Sequence, residues 1–476
     1  MRPIFILLIF SALLTSCAAV SSKRPIDPGT DIPQNWSALP LEAGQTDSLW
    51  WQAFGDAQLD SLIREAFRHN HSLQIAAANV EAAQAQARIA GAPLYPQANL
   101  AASAGRRKQN FIGLPIPSAR DGVLSNLSNS FGVSLDLSWE VDVWGRLRAD
   151  RVAALANYQA AEADYYGAQL SLAAQVSKVW FAAAEAQRQV VLAEATVENY
   201  RLSQERVRQR YESGLTPSLD LRRSLANLAA AEATLSQRKA QHDGIVRQLE
   251  ILLGRYPAAA LTARAELPAL PEAVPAGLPA ELIARRPDLI AAERRLLAAD
   301  AGVASARRAL YPRINLTGSS GTSSNELKDI LNGDFSIWSI AGSLLQPVFQ
   351  GGRLRANLKL NRSQAEIAQA RYIQSLLFAF GEVEGALAGE RFLNEQENAL
   401  TRATEQALAA RDLAEAQYAS GISDYLNVLD AQRSAYQNES QLLSVRRERL
   451  NAWIDLQLAL GGGFRGAEYA GWVELN

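Results

Sequence analysis

Along residues 131–139 apolar and polar side chains alternate without a break. Phe131, Val133, Leu135, Leu137 and Trp139 point one way, and Gly132, Ser134, Asp136 and Ser138 the other. Period 2 with an aromatic at each end predicts a strand with one apolar face, as in membrane barrels. Residues 97–105 alternate more weakly on small side chains, and 313–319 alternate well. The run 335–344 is apolar but changes parity midway. These four segments predict two β-hairpins, at about 97–139 and 313–345. Loops rich in Gly, Pro, Ser and Asn join them, at 106–129 and 321–334.

Between the hairpins the pattern is helical. From Gly145 to Ser213 there is no proline and one interior glycine, Gly167; from Gly352 to Ser420 there is again no proline. Each stretch of about 67 residues predicts a helix of roughly 100 Å. Ser213-Gly214 and Ser420-Gly421 suit helix C-termini, and a return helix follows to Gly254 or Gly461. Leu221, Leu225, Leu228 and Leu235 follow a 4-3-7 spacing that predicts a coiled-coil seam. Shorter helices are expected at 58–90 and 279–309. Pro96 and Pro312 then mark where helix gives way to strand.

The elements come in two copies. Tyr211, Gly145 and Leu253 each open a motif that returns 207 residues later, at Tyr418, Gly352 and Leu460. Leu94-Tyr95-Pro96 returns at Leu310-Tyr311-Pro312 after 216 residues, so the first copy carries nine extra residues in or beside its hairpin loop. The organisation read from this is a leader at 1–16, an N-terminal segment at 17–57 and repeat 1 at 58–254 with its helical hairpin at 145–254. A Pro/Ala-rich linker at 255–278 follows, then repeat 2 at 279–461 with its hairpin at 352–461, and a tail at 462–476.

Four strands of about ten residues can each cross an outer membrane when tilted, but cannot close a barrel alone. Closure requires several copies, and three would give twelve strands. The helices are too long and too polar to lie in lipid, so they would project as a tube. The fold class expected from this is a mixed α/β membrane protein: several copies sharing one barrel, with helical hairpins below it.

The N-terminus supplies an address. Arg2 precedes an apolar run from Ile4 to Phe10, which reads as a signal peptide rather than a span. Leu14-Thr15-Ser16-Cys17 resembles a bacterial lipobox. Cys17 is the sole cysteine and would carry the lipid; Ala18 rather than Asp favours the outer membrane. The net charge of −2 indicates no basic surface for nucleic acid. His69, His71 and His242 form no ligand pattern, and no phosphate loop, dinucleotide fingerprint or nucleophile elbow is present. Neither enzyme chemistry nor a cofactor is expected.

With these features the chain resembles the outer-membrane factors (TolC-like), in the lipoprotein branch that serves multidrug efflux pumps. The motifs are Trp50-Trp51 with Phe54-Gly55-Asp56 and Leu59-Asp60; Arg285-Arg286-Pro287-Asp288; Tyr418 with Gly421; Leu426 with Asp430; and Gly461-Gly462-Gly463. The resemblance covers nearly all of the mature chain. It implies a homotrimer sharing a twelve-stranded barrel, a periplasmic helical barrel, and docking to a periplasmic adaptor and an inner-membrane pump. The expected function is a passive exit duct for small toxic compounds or drugs. The alternatives are a duct for secreted proteins and a lipoprotein that tethers envelope layers.

Gly214 and Gly421 mark the ends farthest from the strands, and so the periplasmic mouth. With Leu215 and Ile422 they are the expected docking tips. Leu426 and Asp430 lie one turn apart on one face, and the resemblance makes them constriction rings. It also makes Tyr418 a latch of the mouth, although Ser423 stands where some relatives carry a latching Arg. The repeat-1 equivalent of Asp430 is Arg223, free to pair with a neighbouring carboxylate.

Overall fold

The computed structural model describes residues 36–37, 49–111, 124–262, 266–271 and 282–462. The leader, Cys17 and residues 463–476 lie outside them. The elements in chain order are a 3₁₀ turn Trp50–Phe54, α1 (Ala57–His69), α2 (His71–Gly91), β1 (Gln97–Phe111), β2 (Leu124–Val141), α3 (Arg146–Glu212) and α4 (Ser218–Leu252). The second half holds a single turn Leu282–Arg285, then α5 (Pro287–Arg308), β3 (Arg313–Ser324), β4 (Ser336–Leu345), α6 (Arg353–Ala419) and α7 (Tyr425–Ala459). No helix among the described residues is long and apolar enough to cross a membrane.

Helices α3 and α6 have 67 residues each, and α4 and α7 have 35 each. Each long helix therefore runs about 100 Å from the sheet to a tip, and its partner returns about half that distance. On the sheet side, α5 lies against both long helices, and α2 lies against α3.

The core sits where these elements meet, at a waist half-way along α3 and α6. Leu172, Val176, Trp180 and Phe181 of α3 pack there with Leu59 and Ile63 of α1, Val246 and Leu249 of α4, Val383 of α6 and Ile454 of α7. The Trp-Trp and Phe-Gly-Asp motif is the clasp. Phe54 stacks edge-on against Phe181 at 4.8 Å and Trp453 at 4.9 Å. One oxygen of Asp56 accepts the N–H groups of Gln58 and Leu59 and caps α1; the other accepts Trp180 Nε1–H at 2.8 Å.

The two halves are closed at the waist by equivalent contacts. Asn70 Nδ2 donates to the Leu252 carbonyl at 2.9 Å, and Arg286 Nη1 donates to the Ala459 carbonyl at 3.1 Å. Gly254 and Gly461 end the return helices with φ of +73° and +85°. A Cβ would stand 2.5 Å from the His69 carbonyl oxygen at the first and 2.4 Å from that of Arg285 at the second. Glycine is needed at both for the positive φ and for the close approach.

The linker's first residues are held by Glu250, which accepts the N–H groups of Ala259, Ala260 and Leu261 at 2.7, 2.7 and 3.2 Å. Burial opposes its ionisation, but these donors outweigh it and hold the carboxyl below its ordinary range.

Several expectations are corrected. The first-half helix breaks at Asn70, whose side chain caps α2 by accepting Leu73 N–H at 3.1 Å. The second-half helix breaks before Pro287, which opens α5. Strands β1 and β2 continue far into the expected 106–129 loop, and β3 continues to Ser324. Of the expected 4-3-7 leucine seam, Leu221 packs against the cluster near the tip and Leu228 and Leu235 are half-buried, while Leu225 is exposed.

Candidate functional site

The four strands form one antiparallel sheet in the order β1-β2-β3-β4, with the outer edges of β1 and β4 unpaired. The register aligns Asn99, Asp136, Ser319 and Ser339 in one row across all four strands. The adjacent row is Leu100, Leu135, Ser320 and Trp338. Neighbours in a row share a face, so one face is polar and the other carries Leu100, Leu135, Leu137, Leu316, Trp338 and Ile340, all exposed. The parity change expected in 335–344 places Ile337 on the polar face. Asp136 is fixed by its neighbours: its oxygens accept Ser319 Oγ–H at 2.6 Å and Ser134 Oγ–H at 2.9 Å. Beyond Gly105, Arg106 to Asn110 stay paired with β2 although both faces are polar, so the hairpin extends past the apolar band.

At the far end, α3 and α6 stop in the same way. Gly214 and Gly421 take φ of +71° and +76°. Leu215 N–H then donates to the Arg210 carbonyl at 2.8 Å, and Ile422 N–H to the Gln417 carbonyl at 2.9 Å. The turn leaves Leu215 68% and Ile422 78% exposed, an apolar side chain at each tip.

Behind the tips, the two hairpins of the chain are joined by a small cluster of Val207, Tyr418, Tyr425, Val428 and Leu429. Tyr418 is only 7% exposed. Arg210 Nη1 donates to its carbonyl at 3.1 Å, and the guanidinium carbon stands 4.9 Å from the centre of its ring. The rings of Tyr418 and Tyr425 are 5.5 Å apart. Burial pushes the Tyr425 phenol up to about 12, and burial also raises Tyr418, with Arg210 partly offsetting it. Both are neutral hydroxyls near pH 7. Tyr418 thus lies in the joint between hairpins and does not face the open surface.

Leu426, 48% exposed, and Asp430, also exposed, share the free face of α7. Their equivalents on α4 are Leu219, exposed, and Arg223, whose Nη1 lies 3.8 Å from Asp220 one turn earlier on the same helix. Asp220 in turn accepts Thr216 Oγ1–H at 3.0 Å. Arg223 therefore has a carboxylate of its own chain. Arg210 is the residue that the sequence reading missed. Its signal was an asymmetry of the repeat: Tyr211 and Tyr418 match, but the residues before them are Arg210 and Gln417. Among the described residues no group of three or more His, Cys, Asp or Glu is placed to hold a metal.

The sheet, the long hairpins and the tips are those of a known architecture. A sequence model of the outer membrane efflux protein family matches residues 62–255 and 278–462. The chain belongs to this family. Its relatives include the outer membrane protein OprJ of Pseudomonas aeruginosa, 36% identical with 96% of this chain and 95% of OprJ covered. The toluene efflux pump outer membrane protein TtgF of Pseudomonas putida is 34% identical with 98% of each covered. Among solved structures, the outer-membrane channel OprN superposes with a TM-score of 0.85 at 30% identity, covering 93% of this chain and 99% of OprN. The open state of the MtrE outer membrane channel of Neisseria gonorrhoeae superposes with a TM-score of 0.81 at 30% identity, covering 94% and 99%. In this outer membrane efflux protein the sheet is the membrane part and the hairpins are the periplasmic part.

Proposed function

We propose that three copies of this outer membrane efflux protein close their sheets into one twelve-stranded barrel. It is the passive outer-membrane duct of a tripartite efflux system for small toxic compounds. The observation that carries this is the four-stranded sheet with one apolar face, one polar face and two unpaired edges. Unpaired strand edges are not tolerated in lipid, so β4 of one copy must pair with β1 of the next. Two copies would make eight strands, an interior that side chains fill; twelve leave an open lumen. The polar face lines that lumen and the apolar face meets lipid. The hairpins continue the duct into the periplasm, where Leu215 and Ile422 at the tips offer apolar contacts to an adaptor. The inner-membrane pump supplies the energy.

Around a three-fold axis, the free face of α7 gathers three Leu426 and three Asp430 side chains at the mouth. Like charges held close gain from a shared counter-ion, so the ring favours cations. Purified protein in planar bilayers is expected to conduct, to prefer cations and to be blocked by multivalent cations from the periplasmic side. Asp430→Ala weakens the block, and Leu426→Ala raises conductance. A protein that migrates as a monomer and never conducts refutes the duct; unchanged block in Asp430→Ala refutes the ring. Cys17 is the proposed lipid anchor, supported by the lipobox and the lack of any other cysteine. Palmitate labelling that survives Cys17→Ala rules it out.

A further inference from the structure

The polar face of the sheet carries one charge at mid-height. Among the described residues, β1 offers Gln97, Asn99, Ala101, Ser103 and Gly105 to that face. Positions 315–323 of β3 and 337–343 of β4 offer nothing ionisable. Between the levels of Glu140 and Arg107, only Asp136 is charged. Glu140, four residues nearer the helices, is held by Arg146 at 2.9 Å. Arg107 lies eight residues along the register toward the hairpin tip, level with Ser128, and Arg313 lies at the helical end, level with Leu345. Asp136 is also oriented by its neighbours, because serines on its own strand and on β3 donate to both oxygens. These bonds satisfy the carboxylate without supplying a positive charge.

We infer that Asp136 is a selectivity residue of the barrel itself: three copies form an anionic belt at mid-membrane that draws small cations and cationic cargo through the lumen. The inference rests on the trimeric duct proposed above. Twelve strands about 4.8 Å apart and tilted about 40° give a backbone radius of about 12 Å. The three carboxylates then stand more than about 10 Å from one another. That is too far to share one ion, so the belt acts through its summed field and not as a binding site. With the carboxylates about 9–12 Å from the axis, Coulomb's law in water gives a three- to fivefold cation enrichment at the axis when the Debye length is about 30 Å, at 0.01 M salt. At 1 M salt, with a Debye length of about 3 Å, the enrichment falls to about 1.1-fold. This salt dependence separates the belt from a tight ring of carboxylates, where charges held close resist screening.

The test is the cation-over-anion permeability ratio of purified protein in planar bilayers, measured in KCl gradients centred near 0.01 M and near 1 M. Asp136→Asn keeps the shape and both serine contacts. It is expected to lower the ratio about threefold or more at low salt and to leave it unchanged at high salt. Ser339→Asp, in the same row on β4, adds a second charge per copy and is expected to raise the low-salt ratio. A low-salt ratio in Asp136→Asn equal to wild type overturns the belt, and so does an Asp136→Asn effect that persists undiminished at 1 M. If Asp136→Asn fails to assemble, the wild-type ratio decides: no fall between about 0.01 M and about 1 M overturns the belt. If wild-type protein does not conduct at all, the duct fails first and the belt with it.

Discussion

A positive charge on the outer face of the sheet should prevent assembly, and the same charge on the inner face should not. The apolar face of β2 runs from Phe131 to Val141, so its midpoint falls between Leu135 and Leu137. Leu135 is exposed and aligned with Leu100 and Trp338. An arginine there lies at the bilayer midplane, at a cost of about 2–4 kcal/mol per chain, or about 6–12 kcal/mol for three chains. Folded domains are stable by only about 5–15 kcal/mol. Leu135→Arg should therefore abolish or severely reduce the trimer. Ser138→Arg, three residues away on the polar face, meets lumen water and should cost no more than about 0.5 kcal/mol. The assay is refolding into lipid vesicles over a urea series, with the trimer band of unboiled gels as readout. Equal midpoints for the two variants would show that the faces are assigned the wrong way or that the sheet does not meet lipid.

Three further outcomes test the helical part. Arg210→Met removes a charged donor and a ring contact at the tip joint, together worth about 2–3 kcal/mol; amides near Tyr418 should exchange faster, while those around Trp180 do not change. Gly461→Ala and Gly214→Ala both force alanine to positive φ, at about 1–2 kcal/mol. Only the former also drives a Cβ to 2.4 Å from a carbonyl oxygen, so its urea midpoint should fall further; equal falls would remove the close approach as a cause. Burial opposes ionisation of Glu397, but hydrogen bonds from Arg449 and Arg446 outweigh it and hold the carboxyl below its ordinary 4.5. A depressed carboxyl stabilises the folded state above the unfolded value and loses that contribution as pH falls through the folded one. Stability should therefore drop below pH 4.5, less steeply in Glu397→Gln.

The helix ends were legible because each depends on one local requirement. Each proline-free run ends at a Ser-Gly pair whose glycine adopts positive φ, Gly214 and Gly421, while the interior Gly167 and Gly381 stay helical. The strand ends were not legible. Alternation records which face is buried, and Arg106 to Asn110 bury neither face; they are strand because the ladder with β2 continues outward from the apolar band. The break at Asn70 carries neither proline nor glycine, only a side chain able to accept Leu73 N–H. At the tip, Leu426 and Asp430 were placed by their spacing on one face. The burial of Tyr418 depended on Arg210, a partner 208 residues away, and no periodicity encodes such a contact.

The length of α3 gives the waist a mechanical meaning. From Trp180 in the core to Ser213 at the tip is 33 residues, about 50 Å of nearly incompressible rod. Rotating such a rod by about 5° at its clasp sweeps the far end by about 4 Å, more than the width of a water molecule. The clasp is built from tryptophan, phenylalanine and close-fitting glycine, and packed cores of this kind resist bending. The far end is held by the small cluster around Tyr418 and Tyr425 and by the Arg210 guanidinium. Aperture is thus geared to angle, with the stiff end far from the opening. A partner that pushes on the tips works against the weak contacts at full leverage, and the membrane end need not move at all.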